Sequence, residues 1–295
     1  MDLKRSANEL ARGMGADLVG IAGIDRYATT PRRYHPATLL PQTHSVISIG
    51  VKILDGVIEP QQALVENLPY QVFGYGWLSH VKLNEIAYEL ARFLERAGHI
   101  SLPFPSFGSS MIDPAAQGQY QGVSLSNRHA AVAAGLARFG WSNLAITPQF
   151  GPRQRFVTLL TSAPLEPDEL LSPLSEPRCQ GCSVCVESCP GGAIHRREEV
   201  TFQLKDETVH MASLNKPLCA WYNVGLSSKT FGNVDIAIPE TISREAIREG
   251  QATAERLEPY RAARRVITLS GSGYCGMCLV SCPLGNPEQR MQAGE

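Results

Sequence analysis

The sequence predicts a layered α/β fold followed by a cysteine-rich unit. Three observations carry this prediction. Helical stretches alternate with apolar, β-branched runs through about residue 165. A stretch at 162–177, with Pro164, Pro167, Pro173 and Pro177, then interrupts any regular element. All eight cysteines of the 295-residue chain lie beyond it. The boundary falls near residue 170, giving a first unit of residues 1–170 and a second of 171–295.

Each element has its own signal. Residues 4–13 read as a helix. Residues 16–24 read as a buried strand, and residues 44–53, rich in Val and Ile, as another. Leu83, Ile86, Ala87, Leu90, Ala91 and Leu94 repeat at helical spacing, and Gly98 stops that helix. Residues 130–139 read as a compact, Ala-rich helix ending near Gly140, and residues 155–161 as a further strand. The second unit holds short strands, turns and a long insertion, residues 220–274, helical and charged over 241–265. The pattern leaves sheet order and strand direction open.

Composition narrows the class. Hydrophobic residues make up 43% of the chain and the formal net charge is −1. No global basic field points to nucleic acid. Arg32-Arg33, Arg196-Arg197 and Arg261 with Arg264-Arg265 read as solvated surface charge. No run approaches the roughly 20 apolar residues that span a bilayer. The polar N-terminus lacks an apolar signal core, so the expectation is a cytoplasmic protein. Clustered thiols there point to metal rather than disulfides.

The cysteine spacing is the sharpest signal. Cys179, Cys182, Cys185 and Cys189-Pro190 form a Cys-x2-Cys-x2-Cys-x3-Cys-Pro run, the pattern of a cubane iron–sulfur site. A lone Cys219 follows, then Cys275, Cys278 and Cys282-Pro283. Three ligands at x2 spacing wrap one cluster face, and the Cys-Pro thiol crosses to the other cluster. That crossing assigns Cys179, Cys182, Cys185 and Cys282 to one 4Fe-4S cluster. Cys275, Cys278 and Cys189 take the second, with Cys219 by elimination. Structural zinc and disulfides are the alternatives, but neither needs the third x2 cysteine or the Cys-Pro at x3.

A segment before the cysteines adds a resemblance. It reads Arg-His-Ala-Ala-Val-Ala-Ala-Gly-Leu from Arg128, then Asn143-Leu144, Ile146-Thr-Pro, Phe150-Gly-Pro-Arg153 and Pro164-Leu-Glu-Pro-Asp168. With the cysteine order, it resembles the superfamily of cobalamin-dependent reductive dehalogenases and epoxyqueuosine reductases, over roughly residues 10–285. The resemblance implies a nitroreductase-like α/β domain enclosing a base-off corrinoid (cobalamin), beside a ferredoxin-like domain with two clusters. It implies a low-potential donor such as ferredoxin or flavodoxin, and a small organic substrate. The chain departs from the pattern in three ways. No acidic residue stands in 122–129, few residues follow Cys282, and no export signal is visible. The alternative is a corrinoid-free protein that passes electrons to a partner redox protein.

Candidate site residues follow. Tyr120, in a Gly/Gln-rich loop, and His129 are candidate proton donors. Arg128, at the helix start, Gly135, where a helix interior disfavours glycine, and Arg153 are candidates for holding the corrinoid. Phe104 and Phe107 fit core packing, with pocket lining as the other option.

Overall fold

The computed structural model describes residues 2–106, 125–215, Cys219 and 275–285. Helix α1 (Leu3–Gly13) is capped by Asp2, whose side chain accepts from the Arg5 amide, and buries Ala7 and Ala11 one turn apart. Strand β1 (Leu18–Gly23), the short α2 (Pro36–Leu39) and β2 (Ser45–Lys52) follow. Helix α3 (Asp55–Gln62) leads to a π-helical stretch, Tyr70–Lys82, that continues into α4 (Leu83–Arg96). The six-residue stripe from Leu83 to Leu94 is wholly buried, and Gly98 ends the turn at a positive φ of 89°.

Next come β3 (Ser101–Phe104), α5 (Asn127–Ala133), the two-residue strands β4 (Arg138–Phe139) and β5 (Ala145–Ile146), and β6 (Gln154–Thr161). Beyond the prolines lie α6 (Val184–Glu187), a hairpin of β7 (Ile194–Leu204) and β8 (Glu207–Leu214), and α7 (Met277–Val280).

The main sheet runs β1-β2-β6-β3 with every pair antiparallel. Both its faces are covered, because alternate residues of a strand point to opposite sides. Val19 and Ile21 join one core, with Ile47, Ile49, Val157 and Leu159, under α1 and α4. Leu18 and Ala22 join the other, with Val46, Phe156 and Leu160, under α5 and the hairpin. Leu279 and Val280 of α7 lie in the first core, and Leu204, Val209 and Met211 of the hairpin in the second. Both cores thus draw residues from either side of the proline-rich stretch.

One helix differs from expectation. The Ala-rich helix starts at Asn127 and ends at Ala133, not over 130–139. Ser126 caps its start by accepting from the His129 amide. At its end Gly135 turns the chain at a φ of 72°. A Cβ there would overlap the Glu169 carbonyl, so the close approach requires glycine. Residues 138–139 pair instead with β5. The expected helix over 241–265 lies outside the described residues. No described helix is long and apolar enough to cross a membrane.

Candidate functional site

The first cysteine turn packs beneath Trp141. The Trp141 amide donates to Cys179 Sγ at 3.4 Å, and its indole Nε1 donates to the His195 carbonyl at 3.0 Å. Glu176, just before the turn, is buried and accepts from Arg178 Nε at 2.7 Å. On the other side of the sequence, Ala193 donates its amide to Cys189 Sγ at 3.3 Å. Amide donors of this kind stabilise thiolate over thiol.

The thiols fall into two neighbourhoods, and none of the eight is in a disulfide. Burial above all, together with the charges of Cys179, Cys282 and Cys182, pushes Cys185 up to about 12. Burial also raises Cys282, which feels Cys179 and Cys182 while the Leu284 amide and Arg153 oppose. Burial pushes Cys275 up to about 12, with the Met277 amide opposing and Cys189 and Cys219 adding. Cys278 is raised by burial and then by Cys275, Cys219, Cys189 and Cys185. Surrounding mass and the Cys189 charge raise Cys219, which Arg128 offsets. So Cys179, Cys182, Cys185 and Cys282 neighbour one another, as do Cys189, Cys219, Cys275 and Cys278. Between the two groups, the charge of Cys185 is felt at Cys278.

Among the described residues no three His, Cys, Asp or Glu side chains close on a single metal ion.

The first group lines one cavity, and Leu279, next to Cys278 of the second group, lines another. An inner one, of about 290 Å³, lies where the start of α5 meets the start of β6 and is walled by Leu279, next to Cys278. Tyr75, Asn127, Arg128, Gln154 and Arg155 supply its polar surface. A second, of about 580 Å³, is lined by Cys179 and Cys182 together with Trp141, Arg196, Glu199 and His210.

The residues singled out from sequence fall in different places. Arg128 lines the inner cavity and donates to the Asn143 carbonyl. His129, beside it, turns elsewhere: its ring sits 4.7 Å from those of both Phe139 and Phe202, and Nδ1 is 2.8 Å from Ser126 Oγ. His129 is thus placed among aromatic rings and is absent from the described lining of the inner cavity. Arg153 does not line the inner cavity either; it is 2% exposed. It donates to the carbonyls of Leu284 at 2.6 Å, Cys282 at 2.8 Å and Val280 at 3.3 Å, clamping the turn that carries Cys282. Gly135 serves the approach of α5 to Glu169, again away from that cavity. Tyr120 and Phe107 lie outside the described residues, while Phe104 lines the inner cavity. Sequence reasoning missed Arg155, Tyr70 and Trp141. A charged residue opening a buried strand was the available signal for Arg155.

The described chain is thus a helix-covered antiparallel sheet that carries two cysteine turns, the first of which lines a cavity. No family model matches the chain. Tetrachloroethene reductive dehalogenase of Desulfitobacterium hafniense is 31% identical over 129 residues, 43% of this chain and 20% of that protein. Epoxyqueuosine reductase of Bacillus cereus is 26% identical over 174 residues, 55% of this chain and 39% of that protein.

Two solved structures share the fold. A reductive dehalogenase whose structure suggests a mechanism for B12-dependent dehalogenation superposes with a TM-score of 0.56 at 16% identity, covering 94% of this chain and 37% of that one. An epoxyqueuosine reductase bound to a tRNA stem loop gives 0.55 at 18%, covering 97% and 66%. The match spans about a fifth of the first relative's length and two fifths of the second's. In sequence and in fold, the chain is similar to the superfamily of reductive dehalogenases and epoxyqueuosine reductases.

Proposed function

We propose that this chain is a reductive oxidoreductase in which two 4Fe-4S clusters feed electrons to an acceptor in the inner cavity. The observation that carries this reading is the sorting of eight thiols into two groups of four. One group borders the outer cavity and the other abuts the inner cavity through Leu279. Cys179, Cys182, Cys185 and Cys282 would hold the first cluster, and Cys189, Cys219, Cys275 and Cys278 the second. Such clusters store and relay single electrons. The proximity by which Cys185 acts electrostatically on Cys278 supports a path between them. A low-potential donor, such as ferredoxin or flavodoxin, meets the first cluster near Trp141 and Arg196.

The acceptor is a corrinoid, which when bound supplies a strongly reducing cobalt centre for cleaving a carbon–halogen or carbon–oxygen bond. Arg128 offers donors suited to its carboxamide rim, while the side-chain amides of Asn127 and Gln154 donate to the Pro105 and Ala145 carbonyls and hold the wall in place. The inner cavity by itself has the volume of a small organic substrate's site. Ser106 and Leu125, which flank residues 107–124 in sequence, both line it. Tyr120 lies between them in sequence and is the proposed proton donor. Residues 1–170 thus serve the acceptor and residues 171–295 the electrons. The tRNA-bound relative keeps a nucleic acid in view as carrier of the substrate, against a net charge of −1.

The test is anaerobic purification and reconstitution with iron, sulfide and cobalamin. About eight irons per chain, two reduced cluster signals and a bound corrinoid are expected. A chain that takes up no corrinoid in any redox state refutes the acceptor assignment. Titration with tRNA, read by gel shift, decides the carrier.

A further inference from the structure

We propose that Arg155 makes the inner cavity a binding site for an anionic group, a carboxylate or phosphate carried by the substrate or by the cofactor. The proposal rests on the reading of this cavity as the acceptor site.

Arg155 lies at the start of β6 and lines the cavity while half-buried. Its Nε donates to the Gly74 carbonyl at 3.1 Å, and one terminal nitrogen donates to Tyr70 Oη at 2.5 Å. The guanidinium carbon stands 4.4 Å from the centroid of the Tyr75 ring. Three contacts therefore fix the plane of the fork. A guanidinium has five N–H donors, and these bonds use two. Among the described residues, Arg155 has no carboxylate within ion-pair distance. Arg128 lines the same cavity, and the described lining holds no Asp or Glu. Arg155 thus brings a positive charge to the described wall of the cavity. A preset guanidinium fork matches the two oxygens of a carboxylate or phosphate.

Tyr70 ties this group to the second cysteine turn. It is 1% exposed and packs on Gly276, between Cys275 and Met277, where any Cβ would overlap its hydroxyl. Gly276 adopts a φ of 59°, so the turn and the phenol fit only with glycine there. The anion site is thereby held by the same contact that shapes the cysteine turn.

The experiment is calorimetric titration of the anaerobically reconstituted protein with two matched pairs. Benzoate against benzamide reads a substrate carboxylate. Cobalamin against cobinamide, which lacks the nucleotide phosphate, reads a cofactor phosphate. The expected result is at least tenfold tighter binding of the charged member of one pair. Which pair shows it names the source. Arg155→Gln should abolish that preference at unchanged iron content, and Arg155→Lys should keep part of it. Inorganic phosphate should compete with the preferred ligand in the unmodified chain, which needs no variant to fold. Equal binding within both pairs, or a preference that survives Arg155→Gln, overturns the proposal. Loss of iron or of corrinoid binding would instead count against the redox reading, and the two failures are separately visible.

Discussion

Arg153→Met is the substitution that most directly tests how the second cysteine turn is held. The side chain is 2% exposed and donates to three carbonyls of one turn, those of Val280, Cys282 and Leu284. Methionine keeps a stem of similar length and removes every donor. Each carbonyl left without a partner costs roughly 1–3 kcal/mol. The 3.3 Å bond to Val280 counts least. Partial relaxation and entry of water bring the sum to about 3 kcal/mol.

At roughly 2 °C per kcal/mol for a chain of this size, the melting midpoint should fall by about 6 °C. The local loss should be selective, because in the proposed ligand sets Cys282 is the thiol that crosses to the first cluster. Iron analysis and electron paramagnetic resonance of the reduced protein should show that cluster degraded and the second retained. A variant with full iron, both reduced signals and a midpoint within about 1 °C of the parent would refute the reasoning.

Cys219→Ser should degrade the second cluster and spare the first, read by the same resonance; an unchanged second signal would remove Cys219 from the ligand set. His129→Phe should retain reductive turnover with at most a small change in melting, since the ring is packed between Phe139 and Phe202. Abolished turnover at unchanged stability would restore His129 as a donor. For Glu176, burial favours the neutral acid, but hydrogen bonds from the Arg178 side chain and amide outweigh it and hold the carboxyl below its ordinary value of 4.5. The stability it lends is present above pH 4.5 and is lost as pH falls through the lower folded value. Glu176→Gln should therefore flatten the acid limb of a melting-midpoint profile, and an unaltered limb would count against the ion pair.

Legibility in the sequence followed the range of the forces involved. The α4 stripe, β2 and β6 are set by local periodicity and emerged with nearly the observed bounds. The Ala-rich helix ran too long on paper because alanine favours helix everywhere. Its true end depends on Gly135 meeting the Glu169 backbone, a contact 34 residues away. Strand direction is a property of pairing and leaves no local trace. The grouping of the thiols could be argued from spacing, since three members of each run are close in sequence. Arg153 was read as a cofactor ligand because its carbonyl partner Leu284 lies 131 residues onward. Tyr70 sits in a stretch without helical or strand periodicity, so nothing local marked it.

The packing argues further that the cysteine turns and the sheet that carries the proposed acceptor site are one cooperative structure. Leu279 and Val280, each adjoining the second cysteine turn, are buried in the core beneath α1 and α4. Fully burying such side chains is worth about 1.5–3 kcal/mol each. The hairpin that follows Cys189 gives Leu204 and Val209 to the other core. Metal that fixes the cysteine turns therefore also fixes part of both cores, and its binding energy becomes folding energy. Stripping the iron with a chelator under anaerobic conditions should lower the melting midpoint of the whole chain in a single transition. Near- and far-ultraviolet circular dichroism should report the same shifted midpoint. Two separated transitions, the upper one unmoved by chelation, would mean that residues 1–170 fold independently of the cysteine turns, and the shared cores would then carry little of the stability.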